Sequence, residues 1–436
     1  MSLVDVAPVR VPSLVVEDDL ECALADTPRG PALVVHGDAG GFEGERDGSL
    51  LVGPLSAHNA AALRDRLPWL RPRPLGVRGS VGLGDRLGLA TPGHVRALRA
   101  SGTRLAPIFA QQSVRELDRT GRTPGEVIDD ATWGVFGEGW REPFGADADH
   151  LKTPADIDRF AAAGYTMFTV DPSDHVPGGD VTAEVVARYE GVSLDLDDRT
   201  LTLSADDVAR AAAKYGAAIA HVATMAGHVP EGSELEISVD ETDAPTTPAE
   251  HVYLASELDR LGVRWVSLAP RFVGRFEKGI DYIGDIDRFA ADFAVHAAIA
   301  ERLGPYKLSL HSGSDKFNVY PAIAQAQVHL KTSGTSYLEA LRTVAEHDPD
   351  LFRRLYALAR ERFAAERASY HVTVEADRLP APEEAALDDD DVRRVLHVTF
   401  GSVLADGTLV ARVRDLRDEY AANLERHLAR HLRPFA

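Results

Sequence analysis

Short apolar segments alternate with amphipathic segments along most of the chain beyond residue 74. The apolar segments are rich in aliphatic residues and most end in a polar cluster, which is typical of buried parallel strands. The amphipathic segments have helical spacing. In order, the apolar segments are PLGVRGSVGLGDRLG, TRLAPIFAQQS, EPFGADADHLKT, YTMFTVDPSDH, ELEISVDETD, VRWVSLAPRF, YKLSLHSGSD and VHLKTSGTS.

Eight strand–helix units in series predict an α/β fold of the (β/α)8 TIM-barrel type. The barrel is assigned to residues 75–345, close to the usual length for this fold, about 250 residues. A doubly wound open sheet is the main alternative. It is disfavoured because the chain has no Gly-rich dinucleotide fingerprint.

Three regions lie outside the repeating pattern. Residues 1–74 predict an irregular N-terminal segment whose short apolar runs would suit a small strand–helix cap. An insertion at about 176–232 follows the fourth strand, where GVSLDLDDRTLTLS predicts a β-hairpin and ADDVARAAAKYGAAIAHVATMAGHV a helix. Residues 346–436 predict a helical extension that packs on the barrel.

Composition narrows the class of protein. The 436 residues carry a net charge of −21, which disfavours nucleic acid and anionic membranes as partners. Cys22 is the single cysteine, so no intrachain disulfide and no cysteine-based zinc site is expected. The acidic N-terminus does not fit an export signal, and no apolar run reaches the ~20 residues that span a bilayer. These features predict a cytoplasmic enzyme and leave its oligomeric state open.

The active site of a (β/α)8 barrel lies at the carboxyl ends of its strands. Here those ends read GDR, AQQS, DADHLK, DPSDH, DETD, APRF, HSGSD and KTSGTS. Seven of the eight contain an ionisable group, and the second has paired glutamines and a serine. This distribution predicts a catalytic mouth.

Two histidines at strand ends predict a divalent metal site. His150, His311 and Glu241 would form a two-histidine, one-carboxylate set that suits zinc, manganese, nickel or cobalt. Alternation places Asp240 and Glu241 on opposite faces, so one of them should enter the site, and Glu241 is favoured. Asp149, beside His150, is a candidate acid/base, with the start of the next helix as its alternative role.

Other polar groups at the strand ends are candidates for catalysis or substrate binding. Lys152 is a second catalytic candidate, and Lys331 is a stabilising group for which a Schiff-base role is also open. Arg271 could clamp a carboxylate through two hydrogen bonds. The remaining predicted substrate-binding residues are Ser80, Asp85, Arg86, Gln111, Gln112, Asp171, Asp315, Ser333 and Thr335.

The strand-end motifs resemble the tagaturonate/fructuronate epimerase family, which includes tagatose 4-epimerases. The resemblance covers about Arg78 to Arg342 and extends weakly into the tail. It rests on long motifs, among them SVGLGDRLGLATPGH, GADADHLKT, SVDETDAPTTPAEH, LAPRFVGRFEKGIDY, LHSGSDKFNVYP and HLKTSGTSYLEALR. It implies a metal-dependent inversion at C4 of a 2-keto sugar acid.

The position of the inverted carbon restricts the mechanism. C4 is β to the ketone, so simple enolisation cannot invert it. Oxidation at C4 would need a nicotinamide, for which the chain shows no fingerprint. Retro-aldol cleavage between C3 and C4 would need a Lewis acid for the enediolate and a base for the C4 hydroxyl.

The Asp149–His150 pair also resembles class II aldolases, where the histidine binds metal and the aspartate moves a proton. Four alternatives to a sugar-acid epimerase therefore stay open. They are a 4-epimerase of free ketoses, a class II-type aldolase, a xylose-isomerase-like enzyme and a non-catalytic sensor of sugar acids.

Overall fold

Eight parallel strands close into a barrel at the centre of the computed structural model, in the order β12-β13-β14-β15-β6-β7-β8-β9. The structure describes residues 3, 8–17, 19–197, 199–370, 372–375 and 378–436. The strands are β1 (Val15–Glu17), β2 (Leu20–Thr27), β3 (Gly30–Gly37), β4 (Glu45–Asp47), β5 (Leu50–Gly53), β6 (Ser80–Gly82), β7 (Ala106–Ser113), β8 (Gly145–Leu151), β9 (Met167–Val170), β10 (Ser193–Asp195), β11 (Thr200–Thr202), β12 (Glu234–Ser238), β13 (Ser267–Ala269), β14 (Lys307–Leu310) and β15 (Val328–Lys331).

The barrel confirms the fold that the alternating pattern predicts. Its closure is made between the last and first strands, where Lys331 pairs with Gly82. The α-helices are α1 (Ala57–Arg66), α2 (Thr91–Ser101), α3 (Val114–Thr120), α4 (Pro124–Glu138), α5 (Pro154–Ala162), α6 (Ala183–Tyr189), α7 (Ala205–Ala226), α8 (Pro248–Arg260), α9 (Ile286–Leu303), α10 (Tyr320–Ile323), α11 (Thr335–His347), α12 (Pro349–Glu366), α13 (Asp390–Val398), α14 (Phe400–Leu404), α15 (Thr408–Asp415) and α16 (Arg417–Leu432). Short 3-10 helices occur at Val11–Ser13, Pro68–Leu70, Ser173–His175, Arg367–Ser369 and Arg433–Phe435.

Threonine–proline pairs begin three of the helices around the barrel. Thr123, Thr153 and Thr247 each accept a hydrogen bond from the third helical residue, whose acidic side chain bonds back to the cap. This reciprocal capping satisfies backbone donors at the helix start. Because Thr153 caps α5, Asp149 is not used as a helix cap and remains available to the barrel mouth.

The N-terminal region is more regular than the sequence pattern suggests. Instead of an irregular segment, residues 15–53 form a five-stranded antiparallel sheet in the order β1-β2-β3-β5-β4, followed by α1. Leu24 and Leu33, paired across β2 and β3, are buried together with Cys22. Strands β2 and β3 have eight residues each, but β1, β4 and β5 have only three or four, so the alternation of the whole sheet is hard to recognise in the sequence.

The insertion and the C-terminal region contain the predicted elements. Strands β10 and β11 form an antiparallel hairpin, and α7 completes the connection to β12. In the C-terminal region, α16 lies against α2, where Leu424 packs near Gly93. The Tyr420 hydroxyl of α16 donates a hydrogen bond to the Ser336 carbonyl over 3.0 Å.

We retain 1–74, 75–345 and 346–436 as proposed structural units. Within the described ranges, no helix is long and apolar enough to cross a membrane.

Gly134 of α4 marks a close approach between helices. A Cβ atom there would lie 2.3 Å from Cβ of Thr91 in α2. We therefore expect Gly134→Ala to lower the free energy of unfolding by about 1–3 kcal/mol, because the helices must separate. Urea unfolding measures the change.

Gly125, in the first turn of the same helix, provides the matched control. Its added Cβ would meet only Thr123 Oγ1, at 4.0 Å. Gly125→Ala should leave stability unchanged or raise it by about 0.5–1 kcal/mol. Equal effects of the two substitutions would contradict the assigned helix contact.

Candidate active site

The backbone around His150 departs from a regular strand and brings two consecutive side chains into the barrel mouth. Asp147 and Asp149 of β8 face the barrel interior by ordinary alternation. His150 has φ 53°, and the pairing of β8 with β9 shifts register between Ala148 and Leu151. Left-handed backbone at a residue other than glycine is strained and tends to occur at functional sites.

Asp149, His150 and His311 come together at the carboxyl ends of β8 and β14. Their nearest nitrogen and oxygen atoms all lie within 4.8 Å of one another, and the two imidazole rings are 5.0 Å apart. His150 Nδ1 lies 3.3 Å from a carboxylate oxygen of Asp171, which orients the ring and leaves Nε2 facing Asp149. A carboxylate behind a histidine is the usual support for a metal ligand.

The structure corrects the expectation for Glu241. Its exposed side chain lies 3.4 Å from Arg115, whereas the Asp240 carboxylate lies 3.2 Å from His311 Nδ1. Asp240 lies four positions after Glu236. Side chains an even number of positions apart point to the same face of a strand, so Asp240 faces the barrel interior as Glu236 does. Counting along ELEISVD would therefore have favoured Asp240, with Ser238 Oγ donating to it over 2.6 Å.

Lys331 occupies the centre of the barrel beneath this cluster. Its Nζ lies 2.6 Å from Asp149, 2.8 Å from Glu236 and 3.0 Å from Asp147. Burial acts to lower the pKa of Lys331, but these carboxylates outweigh burial and raise it well above its ordinary value. Since a Schiff base requires a neutral amine, this setting favours a charged stabilising role over a Schiff-base role.

Carboxylates on both sides of His311 favour positive charge at its ring. Burial acts to lower its pKa, but Asp240 beside Nδ1 and Glu236 at 2.8 Å from Nε2 raise it to about 10. A metal cation would place positive charge at the same point, so the donors and their charge fit a divalent ion. For Asp149, burial acts to raise the pKa, but Lys331, His150 and His311 lower it below the ordinary range.

Four of the predicted substrate-binding residues lie at this mouth. Gln111 Nε2 donates to Asp149 Oδ2 over 3.2 Å, and Asp171 supports His150. Ser333 lines a small cavity of about 20 Å³ against the Asp149–His150–His311 cluster. Arg271 lines a neighbouring outer cavity of about 550 Å³.

The other predicted residues serve different contacts. Lys152 lies at the rim, where its Nζ pairs with Asp174 over 2.7 Å. Asp85 accepts three backbone N–H groups of its own loop, and Arg86 pairs with Glu116. Ser80 contacts His329, and Gln112 is buried. Asp315 pairs with Arg393 and His427, and Thr335 bonds Ser314.

Lys278 is a residue of the mouth that sequence reasoning missed. It lies in the loop after β13 and lines both the small inner cavity and the outer cavity. The motif FEKGIDY contains it, but its distance from the strand end gave no reason to single it out. Glu236 and Asp147 were also missed, because they lie within strands rather than at their ends.

A barrel whose mouth combines histidines, carboxylates and lysines in a buried pocket defines an enzyme that acts on a small polar molecule. The chain belongs to the tagaturonate epimerase family, whose model, UxaE, matches residues 32–435. The tagaturonate/fructuronate epimerase of Thermotoga maritima is 43% identical, over 86% of this chain and 84% of that protein.

Solved structures give the same result. The native crystal structure of fructuronate-tagaturonate epimerase UxaE from Cohnella laeviribosi is 35% identical, with a TM-score of 0.92 over 98% of this chain and 96% of that chain. A crystal structure of the same enzyme with one glycerol complexed is 34% identical, with a TM-score of 0.93 and the same coverage.

The three ion pairs of Lys331 predict that its loss lowers the free energy of unfolding. Lys331→Met removes the cation from among three buried carboxylates, so we expect the free energy of unfolding to fall by about 3–5 kcal/mol. Urea unfolding at pH 7 measures this loss. It should shrink at lower pH, because protonation of the unpaired carboxylates relieves their repulsion.

Lys152→Met is the control for this prediction. Its side chain is 39% exposed and pairs at the surface with Asp174, so its loss should cost about 0–1 kcal/mol. A Lys331→Met variant as stable as Lys152→Met would contradict the central role of Lys331.

Proposed function

We propose that this protein interconverts D-tagaturonate and D-fructuronate by inverting C4, in a reaction that depends on a divalent metal. Membership of the epimerase family and the 43% identical relative support the reaction. The buried cluster of Asp149, His150 and His311 is the observation that carries the metal part of the proposal. We place the reaction in the cytoplasm, in keeping with the acidic composition.

His150 and His311 are the residues that would hold the metal, with Asp149 or Asp240 as the neighbouring carboxylate. Zinc, manganese, nickel and cobalt all suit this donor set. When bound, such an ion would supply Lewis-acid stabilisation for negative charge on the carbonyl oxygen of the substrate.

Retro-aldol chemistry accounts for inversion at a carbon β to the ketone. The C4 hydroxyl loses its proton, the C3–C4 bond breaks, and its electron pair remains on the three-carbon ketone fragment. The aldehyde fragment then presents its other face, and the reverse step forms the C3–C4 bond and returns the proton. Atoms balance with no added reductant or oxidant.

Asp149 is the group that we assign to the C4 hydroxyl proton. Lys331 and Gln111 hold its two carboxylate oxygens. Because its pKa lies below the ordinary range, after Lys331 and the two histidines outweigh burial, Asp149 is ionised at neutral pH, as a proton acceptor must be. Lys331, rather than the rim residue Lys152, supplies the fixed positive charge.

Product analysis tests the reaction itself. Chelator-treated protein is incubated with D-fructuronate, with and without manganese, zinc, nickel or cobalt, and the products are followed by NMR. We expect D-tagaturonate to appear only with added metal, without three-carbon fragments. Released fragments would support an aldolase instead. No turnover of this substrate or of D-tagatose and D-fructose would refute the epimerase.

Separate variants distinguish a metal ligand from a proton acceptor. His311→Ala and His150→Ala should lose bound metal and activity together, measured by elemental analysis and turnover. Asp149→Asn should retain metal while kcat falls by about 100- to 10,000-fold, the usual effect of removing a general base. Loss of metal from Asp149→Asn would make Asp149 a ligand and exclude it as the proton acceptor.

A further inference from the structure

Lys278 is a partly buried cation without a partner at the barrel mouth. Among the residues that the structure describes, its Nζ makes no hydrogen bond and no ion pair. It lines the inner cavity together with Asp149, His150 and His311, and it also lines the outer cavity. Burial lowers the pKa of the Lys278 ammonium, and an anion bound beside it would favour the charged form, so this position fits a ligand that is anionic.

The backbone on each side of Lys278 is fixed by two buried basic side chains, Lys316 and Arg393. Lys316 Nζ donates to the carbonyl oxygens of Glu277 and Ile280, the first over 2.9 Å. Arg393 Nε donates to the Gly279 carbonyl over 2.6 Å. The loop backbone is therefore held in place at the edge of the cavities, and the Lys278 side chain remains available to a ligand.

The carboxylates around the outer cavity repel an anion, so an anionic ligand needs a cation there that is not already paired. Asp240, Glu241 and Asp243 line this cavity. Arg115 lies 3.4 Å from Glu241, and Arg275 lies 3.8 Å from Glu277, a carboxylate that Arg394 also contacts at 2.8 Å, so both arginines already have an acidic neighbour.

Two basic groups of the cavity lack an ion pair within the described part of the chain, Lys278 and Arg271. Arg271 Nε is buried without a hydrogen-bond partner there. Arg271 lines only the outer cavity, whereas Lys278 lines both cavities and therefore also borders the Asp149–His150–His311 cluster. In a hexuronate, two bonds separate C4 from the carboxyl carbon, so the carboxylate must bind beside the reacting groups. Lys278 meets this requirement.

We propose that Lys278 binds the carboxylate of the sugar acid and thereby selects a uronate over a neutral ketose. The inference rests on the proposed function, because it concerns the same pocket. Arg271, further out, is a second cation for the same anionic end. A purely structural role, in which Lys278 balances nearby carboxylates, would make its loss equally harmful for charged and neutral substrates.

Steady-state kinetics of the metal-loaded protein test this selection. Lys278→Met should raise KM for D-fructuronate by about 10- to 100-fold, the loss expected for one charge-assisted hydrogen bond. Turnover of D-fructose should change by less than about threefold, since it lacks the carboxylate. Lys278→Arg should recover most of the affinity for D-fructuronate. Arg288→Met, which removes an exposed cation of α9 outside both cavities, is the control and should leave KM unchanged.

Binding of two ligands that are not substrates gives a second measurement, which does not need turnover of a ketose. D-gluconate and sorbitol differ by a carboxylate, and their binding to the metal-loaded protein can be compared by calorimetry. Lys278→Met should weaken D-gluconate binding and leave sorbitol unchanged, with circular dichroism and metal content confirming that the variant is folded.

The outcomes separate the two proposals. Equal losses for the charged and neutral ligands, or no loss for D-gluconate and D-fructuronate, would overturn the role of Lys278. Failure of the unmodified protein to convert D-fructuronate would refute the proposed function, while the ratio of D-gluconate to sorbitol affinity would still decide whether Lys278 binds a carboxylate.

Discussion

The active site depends on the balance of charge around Lys331. Barrels of this type usually fill their interior with layers of branched aliphatic side chains. Here a buried ammonium lies within 3.0 Å of Asp147, Asp149 and Glu236. Glu236 then reaches His311, and Asp149 reaches the mouth, so the network that balances Lys331 also orients the groups above it. Loss of any one member of this network lowers stability, because it leaves buried partners unpaired.

The C-terminal helices hold the loops that carry the site. Asp315, four residues after His311, has φ 59° and pairs with Arg393 of α13 and His427 of α16. Its backbone N–H donates to His431 Nε2 over 2.8 Å. These contacts fix a strained loop from outside the barrel, and strain persists only where its surroundings determine it. The tail therefore contributes to the geometry of His311, and it also lines the site, with His397 at the inner cavity and Tyr370 and Thr373 at the outer one.

Positions that depend on the alternation of side chains along a strand could be predicted from the sequence. Positions that depend on the path of a loop in the folded protein could not. The barrel and His311 are consequences of alternation and of strand ends, whereas His150 turns into the mouth because its backbone has φ 53°. Counting in steps of two residues along β12 would also have selected Asp240 over Glu241. Asp85 comes after a strand yet caps its own loop, since a short carboxylate satisfies nearby N–H groups first. Lys278 could not be found, because only the folded loop brings it back to the cluster.

The charge of the whole protein and the charge of its pocket act at different ranges. A net charge of −21 repels an anionic substrate at a distance, but this repulsion is screened beyond about 8 Å at physiological salt. Inside the mouth, screening is weak and each unpaired charge has a large effect. Lys331 cannot attract the substrate there, because its charge is already matched by three carboxylates. Besides a bound metal, the groups that attract a sugar acid are the cations with no ion pair within the described part of the chain, Lys278 and Arg271, and of these Lys278 borders the reacting groups.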